Sequence, residues 1–341
     1  MHFAAFYLAG SPQREDPSAV LARVLGYARD AEALGYDSVW FAEHHFSNYG
    51  YIPNPLLLAT HVAAETERIR LGTAVLVLPF WNPLRVAEDI ALTDQLTGGR
   101  LEVGVARGYQ PFEFRRFGLE YEEARDRSDE TLTILTRALT EDGFSFDGRF
   151  HQIPETTIFP KPLQRPHPPL WLAAHTPESF LIGARLGLRA LTTNSGRPLS
   201  VLEEGWANYQ AARARYPGAP PDFGVQAQVV VAPTDAEARA EIEHFLYQTR
   251  QATALRHGRE HVVSGVSEPL PFEGEPGLDE MFEHRTLSGS PATVRAKLER
   301  YRDACGMTML SCVFHGGSMR PETVRRSMRL FAEEVMPAFR D

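Results

Sequence analysis

Two adjacent histidines follow an apolar run that has the character of a strand. The run over residues 39–42 leads directly into Glu43, His44, His45 and Phe46. Imidazole groups ordinarily titrate near neutral pH, so such a pair can hold or transfer protons. The same residues could instead form a hydrogen-bonded strand end with no chemical role. A metal site would need Glu43 and a distant further ligand, and no paired-histidine spacing supports one.

Two other segments could bind an anion. Arg107 follows another apolar run, and a guanidinium can hold a phosphate or a carboxylate in a fork geometry. Residues 173–179 predict a helix start at Thr176, with Ser179 one turn further on, and helix N-termini bind anions. A structural salt bridge and simple helix capping are the respective alternatives. Arg125 could reach the same anion, although an exposed helix charge is commoner.

Short apolar runs alternate with helical patterns and would position these segments. Eight runs are almost continuously apolar, which is typical of strands covered on both faces. They are Phe3–Leu8, Ser38–Ala42, Ile69–Leu78, Leu101–Ala106, Leu170–Ala174, Ala190–Thr193, Val225–Val231 and Met309–Phe314. Helices are predicted near 18–34, 55–66, 83–97, 121–140, 177–186, 199–215, 235–256, 291–304 and 321–338.

This alternation favours an α/β fold, the TIM (β/α)8 barrel, whose active sites lie at the C-terminal ends of the strands. An open doubly wound sheet is the alternative, but no G-x-G-x-x-G follows the first strand. Residues 141–169 predict an inserted hairpin and an extended loop. Residues 257–288 are rich in glycine, proline and acids, and predict a mobile active-site lid or a partly disordered segment. We therefore expect one barrel domain over residues 1–341 with two insertions.

Composition excludes several classes of protein. The chain has 35 basic and 44 acidic residues, a formal charge of −9, so nucleic acid and anionic membranes are not expected partners. Its two cysteines form no disulfide framework or zinc spacing, and a reducing cytoplasm is expected. Neither a secretory signal nor an apolar run of membrane-spanning length is evident.

Several motifs together resemble the bacterial luciferase-like flavin-dependent monooxygenases, at matching spacings over nearly the whole chain. Residues 141–169 and 257–288 match least. The motifs that carry the resemblance are the segments 40–46, 54–55, 72–73, 78–79, 82–89, 94–100, 104–108 and 330–337.

The resemblance implies a barrel that binds reduced FMN at its C-terminal rim. His44 matches the family's catalytic histidine, with Glu43 and His45 supporting it. Arg107, Arg125, Thr176 and Ser179 would hold the FMN phosphate, with His175 beside it. Further residues would contact the isoalloxazine: Ala74 and Val75, where the family often has a non-prolyl cis peptide bond, and Ala106 and Tyr109. Ala106 stands where luciferases proper often carry a cysteine, so details of flavin reactivity are expected to differ.

The implied function is that of an FMNH2-dependent two-component monooxygenase. It would use O2, through a flavin C4a-hydroperoxide, to hydroxylate an organic substrate or to insert oxygen in the Baeyer–Villiger manner. A separate NAD(P)H:flavin reductase would supply FMNH2. The alternatives are an F420-dependent oxidoreductase of the same superfamily and a non-catalytic flavin-binding subunit.

The resemblance also implies a homodimer and a substrate pocket. The dimer would form through the helices at 55–66 and 83–97. The substrate would be a small aldehyde or ketone, or a natural-product intermediate, free or tethered to a carrier. Besides the lid, the expected pocket residues are Phe6, Phe46, Tyr109, Asn194, Gln226 and Gln228.

Overall fold

The computed structural model describes residues 1–194 and 196–340, and Ser195 and Asp341 lie outside the described residues. The strands in chain order are β1 (His2–Tyr7), β2 (Ser38–Phe41), β3 (Arg70–Val77), β4 (Leu101–Ala106), β5 (Phe144–Asp147), β6 (Gln152–Thr156), β7 (Leu170–Ala173), β8 (Arg189–Thr193), β9 (Phe223–Val231), β10 (Val262–Val263), β11 (Val266–Ser267), β12 (Leu287–Gly289) and β13 (Met309–Val313).

The helices, again in chain order, are α1 (Pro17–Ala33), α2 (Pro55–Ala64), α3 (Pro83–Leu96), α4 (Pro111–Phe117), α5 (Ala124–Thr140), α6 (Pro177–Arg185), α7 (Ser200–Arg215), α8 (Asp235–Arg239), α9 (Ile242–Arg256), α10 (Leu278–Glu280), α11 (Pro291–Cys305) and α12 (Pro321–Leu330). Short 3₁₀ turns cover Leu78–Phe80, Tyr121–Glu123 and Met336–Ala338, and π turns cover Met281–Arg285 and Phe331–Val335.

Parallel strands close into a barrel in the order β1, β2, β3, β4, β7, β8, β9 and β13, and β13 pairs back with β1. The (β/α)8 barrel predicted from the alternating pattern is confirmed, and the open sheet is wrong because the sheet has closed. Every predicted strand is present, with ends that differ by no more than two residues. The short strand β12 adds to the outside of β9 in parallel and was not predicted.

The floor of the barrel is packed with large rings. The Trp40 side chain is fully buried, and its ring meets that of Trp171 edge to face at 5.7 Å. Gly72 makes this possible, since a Cβ at that position would lie 2.1 Å from the Trp40 ring. These rings fill the lower barrel, and the large cavity described below lies above them, at the C-terminal ends of the strands.

Capping residues start the helices at the predicted places. Asp16, Asn54, Asn82, Thr176 and Ser290 each cap a helix whose first turn begins with proline. Their side-chain oxygens accept hydrogen bonds from N–H groups that have no partner inside the helix. Thus local sequence fixes where each helix leaves its strand, and therefore where the connecting loops of the rim begin.

The two insertions have defined structures. In the first, β5 and β6 form the predicted antiparallel hairpin. Residues 257–288, called the lid segment below, contain the β10–β11 hairpin, α10, a π turn and β12. Four of its residues, His257, Phe272, Pro276 and Arg285, line the mouth of the barrel. Among the described residues, no helix is both long and apolar enough to cross a membrane.

Candidate active site

A cavity of about 630 Å³ lies at the C-terminal ends of the barrel strands. Three predicted site residues, His45, Arg125 and Ser179, do not line this cavity. The other predicted site residues all do, and they come from four neighbouring strand ends: Glu43, His44, Ala74, Val75, Ala106, Arg107, Tyr109, His175 and Thr176. A volume of this size suits a cofactor together with a small substrate.

His44 projects into the cavity with one ring nitrogen already engaged. Its Nδ1 lies 3.2 Å from Oε1 of Glu113 and 3.0 Å from the side-chain amide of Gln110. Oε1 of Glu113 also accepts the backbone N–H of His45 at 2.8 Å. Both side chains are almost completely buried, with 8% of His44 and 1% of Glu113 exposed. Nε2 of His44 is therefore the ring atom left to act on a bound molecule.

The Glu113 carboxylate selects one tautomer of His44. An ionised carboxylate accepts hydrogen bonds and does not donate them, so a neutral His44 carries its hydrogen on Nδ1. The Gln110 amide can then turn its oxygen toward the same hydrogen. That turn also gives a partner to the Gln110 Oε1 atom, which otherwise has none in the described part of the chain. In this arrangement Nε2 presents a lone pair to the cavity, and a proton taken up there can be returned.

The second histidine faces away from the cavity. Its Nε2 lies 2.9 Å from Oε1 of Glu43, and its ring packs edge to face on Phe117 at 4.9 Å. Glu43 also accepts the backbone N–H of Val77 at 2.9 Å and the indole N–H of Trp81 at 3.0 Å. Burial raises the pKa of Glu43, and these hydrogen bonds oppose the rise. Both side chains thus brace the loop that presents His44.

One wall of the cavity is formed by small residues. The peptide bond between Ala74 and Val75 is cis, as the family resemblance implied. The β3–β4 register shifts between Thr73 and Leu76, so these two residues leave the regular ladder and line the cavity. Ala106 lies at the end of the neighbouring strand. These side chains leave room for a flat ring system against the wall.

An unpaired cation and a helix N-terminus lie at another edge of the cavity. Arg107 makes no hydrogen bond or ion pair with any residue in 1–194 or 196–340. Thr176 starts α6 in a capping box with Ser179, and Oγ of Ser179 accepts the Thr176 N–H at 3.1 Å. Arg125 lies behind this edge, where its charge and that of Arg107 both act on Asp129. This edge is electropositive and has N–H groups available for an anion.

His175 lies beside this edge and lines the cavity. Desolvation by the cavity walls, together with the charges of Arg197, Arg256 and Arg107, lowers its pKa. The ring is therefore neutral at pH 7. Its Nδ1 lies 3.2 Å from the hydroxyl of Thr192, so the ring is held as a neutral hydrogen-bonding group.

Two tyrosines complete the surroundings of His44. The rings of Tyr49 and Tyr109 meet its imidazole edge to face at 4.7 and 5.8 Å, and their hydroxyls are 3.1 Å apart. Burial raises the pKa of both, so both are protonated and can donate at neutral pH. The guanidinium of Arg256 lies 5.0 Å from the centre of the Tyr109 ring.

Comparison with known proteins identifies the family. The model of the luciferase-like monooxygenase family matches residues 1–308. The chain belongs to the luciferase-like monooxygenase family. It is 31% identical, over 99% of this chain and 97% of the relative, to the uncharacterized protein y4vJ of Sinorhizobium fredii. It is therefore an enzyme of the flavin-dependent monooxygenase class.

Two further comparisons describe how close this luciferase-like monooxygenase is to named proteins. It is 29% identical to the oxygenase component of the flavin-dependent trigonelline monooxygenase of Acinetobacter baylyi, over 91% of this chain and 87% of that one. The crystal structure of monooxygenase RslO1 from Streptomyces bottropensis superposes with a TM-score of 0.88 at 27% identity, covering all of both chains. The likeness therefore extends through both insertions.

Some residues of this luciferase-like monooxygenase site could not be found from the sequence. Glu113 lies on α4 and Gln110 directly precedes it. This short helix was not predicted, although a proline at the first helical position, here Pro111, is a usual helix start. Arg197 and Arg256 line the cavity from the end of β8 and the end of α9, and only the folded chain brings them together.

Two predicted pocket residues do not line the cavity. Phe46 is 47% exposed on the outer surface, so its placement in the pocket is wrong. Asn194 is buried, and its amide donates to the carbonyl of Arg285 at 3.0 Å and to Tyr301 at 2.8 Å. The other four, Phe6, Tyr109, Gln226 and Gln228, do line it.

Proposed function

We propose that this protein is the oxygenase component of a two-component system, and that it uses reduced FMN and O2 to oxygenate an organic substrate. One observation carries the proposal: the unpaired Arg107 at a helix N-terminus and the free Nε2 of His44 face the same cavity across a wall of small residues. Arg107 and the helix N-terminus suit the phosphate of a flavin nucleotide. Nε2 of His44 suits proton transfer beside the flavin ring.

The residues present fit FMN. Arg107 supplies an unpaired charge for a phosphate, the start of α6 supplies N–H groups, and Arg125 adds a positive charge behind them. Thr176 also lines the cavity at the start of α6, where its hydroxyl would be a further donor to the phosphate. Ala74, Val75 and Ala106 would lie against the isoalloxazine.

When bound, reduced FMN would supply the electrons that activate O2. His44 then takes up or returns a proton at Nε2, and Glu113 holds the ring in the tautomer that makes this possible. Tyr109 and Tyr49 stay protonated and exclude water on one side of the imidazole. The lid segment covers the cavity with Phe272 and Pro276, which limits loss of oxygen as hydrogen peroxide.

A separate NAD(P)H:flavin reductase is the proposed source of reduced FMN. The Acinetobacter relative is the oxygenase component of a flavin-dependent monooxygenase, and such a component depends on a second protein for its reduced flavin. The substrate is proposed to be a small organic molecule, and the reaction a hydroxylation or a Baeyer–Villiger insertion.

The proposal is tested by binding measurements with FMN, riboflavin and F420, each in its reduced form. The wild-type protein should bind reduced FMN more tightly than riboflavin, because only FMN has the phosphate. Arg107→Ala should weaken the binding of FMN about tenfold or more and leave the binding of riboflavin unchanged, since hydrogen bonds to charged groups are strong. Arg68→Ala, an exposed arginine far from the cavity, is the matched control.

Two results would contradict the proposal. Equal losses of FMN and riboflavin affinity in Arg107→Ala would show that Arg107 does not bind the FMN phosphate. Tight binding of F420 without binding of FMN would favour the F420-dependent alternative, in which hydride moves without oxygen.

A further inference from the structure

The cavity contains more positive charge than a flavin phosphate requires. Besides Arg107, it is lined by Arg197 and Arg256. Neither of these two has a carboxylate within ion-pair distance among the residues that the structure describes. The two carboxylates on the wall, Glu43 and Glu113, are engaged with the histidine pair. The chain as a whole has a net charge of −9, whereas the cavity lining contains four arginines and two carboxylates.

Arg197 is held in place by backbone groups alone. Its Nη2 donates to the carbonyl of Thr193 at 2.6 Å, and its Nε donates to the carbonyl of Asn194 at 3.0 Å. These bonds orient the guanidinium and leave the charge uncompensated, with the other N–H groups available. Desolvation and the neighbouring charge of Arg256 lower the pKa of Arg197, yet an arginine stays protonated at pH 7. A fixed and unneutralised cation of this kind is poised for an anion.

Arg256 lies on the side of the cavity where His44 acts. Its side chain has no hydrogen-bond acceptor in the described part of the chain, and it rests over the Tyr109 ring at 5.0 Å. The same ring also meets the ring of His44 edge to face, at 5.8 Å between centroids. The Arg256 guanidinium and the imidazole at which a proton is handled therefore share Tyr109 as a neighbour.

Two glutamines that line the cavity have side-chain oxygens without partners, although the Gln228 NH2 group donates weakly to the carbonyl of Phe245 at 3.5 Å. The Oε1 atoms of Gln228 and Gln248 are buried without a hydrogen-bond partner among residues 1–194 and 196–340. An amide can turn to present either its oxygen or its NH2 group, so these side chains can donate to an anion or accept from a hydroxyl. Unpaired buried polar groups are costly, and a bound polar molecule would satisfy them.

We propose that Arg197 and Arg256 form a second anion site, separate from the flavin-phosphate site, that binds the carboxylate of an acidic organic substrate. The carboxylate contacts the two guanidinium groups, and the carbon to be oxygenated lies in the same cavity, beside His44. The inference rests on the proposed function, because it assigns the remaining space of the cavity to the substrate of that oxygenation.

The test compares acids with their amides, which have the same shape without the charge. Benzoate, phenylacetate and hexanoate are titrated against benzamide, phenylacetamide and hexanamide into the protein saturated with reduced FMN under anaerobic conditions, by calorimetry. At least one acid should bind about tenfold or more tightly than its amide, and added salt should weaken the acid only.

Variants assign the preference to the two arginines. Arg197→Met and Arg256→Met should each remove most of the difference between acid and amide, and Arg256→Lys should retain part of it because it keeps the charge. Reduced FMN affinity should change less than twofold in all three. Arg68→Met, at the exposed surface, is the control and should behave as the wild type does.

The outcomes separate this inference from the proposed function. If the wild-type protein binds reduced FMN and no acid binds better than its amide, the anion site is overturned and the proposed function stands. If Arg197→Met or Arg256→Met weakens FMN more than riboflavin, the cations belong to the cofactor phosphate and the inference is overturned. If FMN fails to bind and F420 binds through these arginines, both the inference and the proposed function are wrong.

Discussion

At the scale of single residues, each histidine of the pair is hydrogen-bonded to a different carboxylate. Glu43 binds the ring of His45, and Glu113 binds the ring of His44 and the backbone N–H of His45. The residue types alone could not show which imidazole would face a ligand. The family resemblance implied His44, and His44 is the one of the two that lines the cavity. That assignment depends on Glu113, which lies 69 residues further along the chain than His44.

Replacing His44 tests its role in proton handling. His44→Ala should lower the yield of oxygenated product about a hundredfold or more, since a positioned acid or base contributes on the order of 10² to 10⁴ in rate. Electrons from reduced FMN should appear instead as hydrogen peroxide, measured by a peroxidase assay. FMN affinity should stay within twofold, because the phosphate contacts lie elsewhere. His151→Ala, a histidine of the β5–β6 hairpin, is the control. Unchanged yields of product and hydrogen peroxide in His44→Ala would show that His44 does not handle the proton.

Replacing Glu113 tests the tautomer argument separately. Glu113→Gln keeps the size of the side chain and removes the charge that stabilises the Nδ1–H form of His44. The rate of product formation should therefore fall about tenfold or more, and the share of electrons lost as hydrogen peroxide should rise. A purely structural role would lower thermal stability and leave the ratio of product to hydrogen peroxide unchanged. That second pattern is the one that would count against the tautomer argument.

At the scale of elements, the alternation of strands and helices could be predicted from the sequence, whereas the elements that depart from this alternation could not. Continuous apolar runs and five capping residues followed by proline predict the barrel strands and several helix starts, because both signals are local. Helix α4 has only seven residues, too few for a periodic pattern, so Gln110 and Glu113 stayed hidden. Arg197 and Arg256 lie in the same cavity because closure of the barrel brings the loop after β8 near the end of α9. This proximity is not visible in the sequence.

Ion pairs hold the C-terminal half of the lid segment. Arg250 on α9 donates to Glu275 at 2.7 Å, and Arg239 on α8 donates to Glu283 at 2.6 Å and also to Asp279. The hydrogen bond from Arg250 lowers the pKa of Glu275 below its ordinary value of 4.5. This contribution is therefore complete above pH 4.5 and is lost only as the pH falls further. Contacts of this kind suit a segment that opens and closes, although its mobility remains a prediction.

Loss of one pair should loosen the lid segment. Arg250→Ala should speed cleavage within residues 257–288 by chymotrypsin about two- to fivefold, because a partly exposed ion pair contributes at most about 1 kcal/mol. Bound FMN should slow cleavage in the wild type. Arg137→Ala removes a comparable pair with Glu141 on α5, away from the lid, and is the control. Equal cleavage of the two variants would show that the pair does not hold the lid.

At the scale of the whole molecule, one face carries exposed apolar side chains on the helices expected to dimerise. Leu57 on α2 is 70% exposed, and Leu92 and Leu96 on α3 are 47% and 61% exposed. Next to the end of α3, Phe159 and Leu163 are also exposed, where Gln95 donates to the carbonyl of Lys161 at 2.9 Å. Exposed apolar patches mark interaction sites. The homodimer stays a prediction, and these exposed side chains are the ones expected to be buried in its interface.

Charge substitutions on this face test the dimer. Leu57→Glu combined with Leu96→Glu should weaken self-association at least about tenfold, because it buries carboxylates without partners. The mass measured by light scattering after size-exclusion chromatography should shift from dimer to monomer. Val263→Glu, equally exposed in the lid segment, is the control. A monomeric wild type, or a dimer that tolerates both substitutions, would contradict the prediction.

The most direct test of the central claim is the reaction of the protein–reduced FMN complex with O2. Rapid mixing should show hydrogen peroxide appearing at least about tenfold more slowly than from free reduced FMN, because the cavity excludes water and His44 manages the proton at Nε2. Peroxide released as fast as from free reduced FMN, or a failure to bind reduced FMN while F420 binds and accepts hydride, would contradict it.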